Sequence, residues 1–129
     1  MRRTLSFLLC AVACTGAAVS AHHSFSTYYF EDQSVTLEGD VAEFEFRAPH
    51  AWVRFNVPDG QGRTSVYGAE WANPSRLSRD GVTKDSLKPG DVVKITGSPG
   101  RKDADRVMHL KRIERPSDGW SWRARQRGR

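Results

Sequence analysis

One short helix start, Asn73-Pro74-Ser75, stands in the middle of a chain otherwise written in alternating apolar and polar residues. An asparagine side chain can accept an orphan backbone N–H, and proline is pre-shaped for the first helical position. Leu77 is the main apolar residue of this helix, and Gly81 ends it. A helix this short cannot build a core by itself. The fold must come from the strands on either side.

Three strand-like runs precede it. Val35 to Phe46 is the longest; Val35 and Leu37 share one parity, and Phe44 and Phe46 take the other. A face that switches within one run, with Gly39 inside it, predicts a bulge or coil that lets one strand serve two sheet faces. Ala51 to Val57 alternates cleanly, with Trp52, Arg54 and Asn56 on the polar side. Pro58 to Gly62 is a turn, which predicts a hairpin with Thr64 to Glu70. After the helix, Leu87-Lys88-Pro89-Gly90-Asp91 launches Val92 to Thr96. Gly97-Ser98-Pro99-Gly100 interrupts, and Arg106 to Arg115 forms the last strand. The expected class is all-β: a small five-stranded OB-like barrel with one short helix between strands 3 and 4. A plain β-sandwich is the alternative.

The N-terminal segment reads as an export signal. Arg2 and Arg3 precede the apolar run Leu5 to Val12, and Val19-Ser20-Ala21 suits cleavage after Ala21. The run is shorter than the roughly 20 residues a membrane span needs. Processing at Cys14 as a lipoprotein is a rival, with Ala11 where such a box favours Leu. The expected organisation is a signal peptide at 1–21, a barrel domain at 22–115 and a basic Trp/Arg-rich tail at 116–129. The expected location is periplasmic or secreted. Cys10 and Cys14 both fall in the signal, so the processed chain would have no disulfide and would stand on its core alone. The net charge of +5 is more than accounted for by Arg2, Arg3, Arg123, Arg125, Arg127 and Arg129. The body is therefore near neutral, and no nucleic-acid partner is expected.

Cleavage after Ala21 would expose His22-His23-Ser24-Phe25. An N-terminal histidine offers an α-amine and a ring nitrogen that chelate one ion together. Amine and imidazole nitrogens suit copper(II), which leads the affinity order of the divalent first-row ions. The candidate metal residues are His22, His23, His50 and His109. His50 is the preferred opposing imidazole, because it closes a loop where the N-terminal arm could meet it. Copper is the candidate ion, and no other cofactor is expected.

Aromatic residues supply a second candidate. Trp52 and Trp71 could line a barrel face and stack a small ligand, which would make the protein a metal-free binding module for that ligand or an envelope partner. Core packing is the competing role for Trp71. Phe25, Tyr28, Tyr29 and Phe30 are expected to anchor the N-terminal arm along the barrel. The tail, with Trp120, Trp122 and alternating arginines, is either solvated or a weak, salt-sensitive contact for an anionic membrane. No nucleophile motif, phosphate loop or acid pair stands out. The expected protein is a binder, not an enzyme.

Four segments together resemble an uncharacterised exported bacterial family (domain of unknown function 6152 type). They are His22-His23-Ser24-Phe25, Ala48-Pro49-His50-Ala51, Trp71 with Asn73-Pro74-Ser75-Arg76-Leu77, and Leu87 to Val93. Where that family usually reads Asn-Pro-His, this chain has Ala48. The resemblance implies an OB-like fold and export, and carries no activity.

Overall fold

The computed structural model describes residues 25–125. The predicted signal, His22, His23 and the last four residues lie outside that range. In chain order the elements are β1 (Val35–Glu45), β2 (Trp52–Pro58), β3 (Thr64–Glu70), α1 (Pro74–Arg79), β4 (Val92–Pro99), β5 (Val107–Arg115) and β6 (Trp120–Arg123). The sheet runs β3-β2-β1-β4-β5-β6, and a parallel pairing of β3 with β5 closes five strands into a barrel. With one short helix between β3 and β4, this is an OB-like barrel. Closure removes the open edges that a flat sheet of this size would expose.

β1 makes closure possible. Its first half pairs with β4 (Val35 opposite Gly97) and its second half with β2 (Glu45 opposite Trp52). The register slips between Val41 and Glu43, which is the bulge that the change of apolar parity predicts. Gly39 sits where β1 crosses β2, so close that a Cβ there would overlap the Asn56 carbonyl. Val41, Val53, Phe55, Val93, Ile95, Leu110 and Ile113 fill the interior. Trp71, Leu77, Val82 and Leu87 belong to the same core.

α1 begins as its sequence requires. The Asn73 side chain accepts the Ser75 N–H at 2.8 Å, Pro74 follows, and Gly81 turns the chain out at φ +84°. Asn73→Ala should cost about 1 kcal/mol. Urea denaturation measures it; a loss below a few tenths of that would mean the cap contributes nothing.

Two elements differ from expectation. β4 does not stop at Thr96 but runs through the glycine-containing stretch to Pro99. A register slip between Thr96 and Gly97 absorbs the interruption, because the Cα of Gly97 lies against the His109 carbonyl, where a side chain would not fit. The ordered chain also does not end at Arg115. Residues 116–119 turn it back, and β6 pairs antiparallel to β5, with Ile113 opposite Trp122. Trp122 is buried, packs edge-on to Trp71 with ring centroids 5.2 Å apart, and donates its indole N–H to Asp80 at 3.1 Å. Trp122 is thus a core residue, not an interfacial anchor.

Candidate functional site

The N-terminal arm is laid along the end of β4 by its own backbone. Phe25–Thr27 makes a single 3-10 turn. Tyr29 then forms an isolated bridge with Gly100, Phe30 N–H donates to the Pro99 carbonyl at 2.9 Å, and Arg101 N–H donates to the Tyr28 carbonyl at 2.9 Å. The Arg101 guanidinium holds the Ser26 carbonyl at 2.8 Å and lies over the Phe30 ring at 4.5 Å. Tyr29 is buried, whereas Tyr28 stays exposed. Phe25, Tyr29 and Phe30 therefore anchor the arm as expected, Tyr28 does not, and main-chain bonds that the sequence does not signal complete the attachment.

This anchoring puts Phe25 in contact with two histidines. Its ring stacks flat on His109, with centroids 3.7 Å apart and 7° between planes, and lies 5.3 Å from the His50 ring. Each imidazole is held from behind by a carboxylate. His50 Nδ1 lies 2.6 Å from Glu70 Oε1, and His109 Nδ1 lies 2.8 Å from Glu31 Oε1. A carboxylate only accepts, so each Nδ1 donates to its acid, and Nε2 is the ring nitrogen left for another partner. A metal-binding histidine is commonly oriented in this way, with one nitrogen fixed by an acid and the other left for the ion.

The remaining carboxylate oxygens are also used. Tyr29 donates its O–H to Glu70 Oε2, and Lys111 Nζ reaches Glu31 Oε2. Burial raises Glu31, but its bonds from Lys111 and His109 outweigh that and hold the carboxyl below its ordinary value. Burial pushes the His109 imidazole down, against the pull of Glu31, which favours the neutral ring. Burial, then the bond to Glu70, drives the Tyr29 phenol far up, so it stays a donor.

In front of His50 a cavity of about 780 Å³ opens between the arm, the β1–β2 loop and the β4–β5 loop. Trp52 forms one of its walls. Gly68 lets that indole lie close to β3, since a Cβ there would come within 3.2 Å of the ring.

The family of unknown function DUF6152 matches residues 10–108. The chain belongs to this family. No curated protein matches this DUF6152 protein. Among solved structures it is similar to the mitochondrial single-stranded DNA binding protein Rim1 of S. cerevisiae, at 13% identity and a TM-score of 0.49, over 64% of this chain and 91% of that one. It is also similar to apo TiaS, a tRNAIle2 agmatidine synthetase, at 20% identity and a TM-score of 0.46, over 64% of this chain and 18% of that one.

In this DUF6152 protein the predicted site residues separate. His50 and His109 both come against the Phe25 ring; His22 and His23 lie outside the described residues. Among the described residues no three His, Cys, Asp or Glu side chains are grouped to hold an ion. Trp52 faces the cavity. Trp71 does not: it is wholly buried between Phe44 and Trp122, so no face is left for a ligand. Glu31 and Glu70 escape sequence reasoning, because each meets its histidine across 78 and 20 residues of chain.

Proposed function

We propose that this DUF6152 protein is an exported copper-binding protein, not an enzyme, whose ion is held by the processed N-terminus together with a barrel histidine. The observation that carries the reading is the position of Phe25. It touches both carboxylate-oriented imidazoles, and it is the third residue after His22. In an extended chain three residues reach roughly 10 Å. The His22 amine and ring would supply two nitrogens, and His50 Nε2 the opposing one. His23 or His109 would act as auxiliary ligand. Glu70 acts through His50 by fixing its tautomer and direction.

The test is copper(II) titration of the chain beginning at His22, followed by electron paramagnetic resonance. A signal with nitrogen hyperfine structure is expected. His50→Ala and one glycine added before His22 should each change that pattern and weaken binding. Glu70→Gln should weaken it by about tenfold. An identical spectrum after the added glycine would rule out the terminal amine as a ligand. The runner-up, a metal-free module that binds a ligand on barrel aromatics, has support from Trp52 and none from Trp71.

A further inference from the structure

The cavity in front of His50 has a composition that a bare metal site does not require. Its walls are apolar: the Trp52 indole, the exposed Tyr28 ring and Val107. Its rim, from the β4–β5 loop, carries one cation and one anion that are not spent on each other. Lys102 and Asp105 are both exposed, and among the described residues neither side chain has an ion-pair or hydrogen-bond partner. The neighbouring charges are committed. Arg101 is held by Ser26 and Phe30, and both oxygens of Glu70 are taken by His50 and Tyr29. A concave apolar wall with a few polar groups at its edge is the usual form of a small-molecule site.

We propose that this cavity binds a small zwitterion with an aromatic side chain, the chemical class of a free aromatic amino acid. The ring would lie against Trp52 and Tyr28. The carboxylate would face Lys102 and the ammonium Asp105. Exposed ion pairs are individually weak, so the wall supplies most of the affinity and the rim supplies selection. The proposal does not rest on the copper reading, although His50 borders both.

Calorimetry on the chain beginning at His22, with EDTA present throughout, tests it. The probes are L-phenylalanine, phenethylamine (no carboxylate) and 3-phenylpropionate (no ammonium). L-Phenylalanine should bind about fivefold tighter than either analogue, the factor expected of one exposed ion pair. K102Q should reduce L-phenylalanine to the level of phenethylamine, and D105N to that of 3-phenylpropionate. Both residues are exposed, so neither change threatens the fold. Trp52→Ala should weaken all three probes while the copper spectrum of the same variant stays as it was. Equal affinity for the three probes, no heat with any of them, or no effect of Trp52→Ala would overturn the proposal. A failed copper titration would leave these results standing.

Discussion

Gly39→Ala is expected to cost the barrel more than about 4 kcal/mol, beyond the 1–3 kcal/mol usual for overpacking. The added methyl would overlap the Asn56 carbonyl oxygen and lie 2.8 Å from its carbon. A side chain in the way could rotate; a β2 backbone paired on both flanks cannot. Asn56 faces Asp40 in the ladder and donates to its carboxylate at 2.8 Å, so displacing it also strains the next pairing. Small domains are stable by about 5–15 kcal/mol, which makes this loss a large share of the total. The thermal midpoint by circular dichroism should fall by roughly 15 °C or more. Gly60→Ala, in a turn where nothing lies within 4 Å of the new methyl, is the control. Its cost should be limited to the strain of a positive φ. Equal losses in the two variants would mean that the crossing of β1 over β2 is not as close as described.

Ending the chain after Arg115 should have a comparable effect, about 3–5 kcal/mol, the range for losing a large buried aromatic. The cut removes β6 and with it the Trp122 ring from Trp71. It also removes Asp118, which bonds Arg115 at 2.9 Å, and leaves Asp80 without its indole donor. Trp122→Ala alone should reproduce most of the loss, whereas ending the chain after Arg125 should leave the thermal midpoint within a degree or two. Truncation after Arg115 that leaves stability untouched would reduce β6 to an ornament on the surface.

Most of the barrel could be read from local pattern. Thr64–Glu70 and the Asn73 cap follow from residues adjacent in sequence, and so does the bulge in β1, because a change of apolar parity is itself a local signal. What escaped was decided at a distance. Gly97 reads as a breaker, and only the His109 carbonyl pressed against it explains why the strand continues. Trp120-Ser121-Trp122-Arg123 does alternate, but the arginine run around it imitates a solvated tail, and the buried partner, Trp71, lies far back in the chain. The same division holds at the site. His50 and His109 are visible as residue types capable of ligation. The carboxylates that aim them, Glu70 and Glu31, look like ordinary strand-end and loop acids until the fold brings them together. Tryptophan is ambiguous for the same reason: Trp52 and Trp71 carry the same side chain, and only burial tells a wall from a core.

The edge of β5 has two tenants. β3 takes Val107 to His109, and β6 takes Arg112 to Arg115. Everything that seals the cylinder is therefore encoded in its final quarter, after β1, β2 and β3 have already been made. A polypeptide delivered amino end first would wait as an unsealed half-shell until β5 arrives to meet β3, and Trp71 would stay uncovered until Trp122 follows.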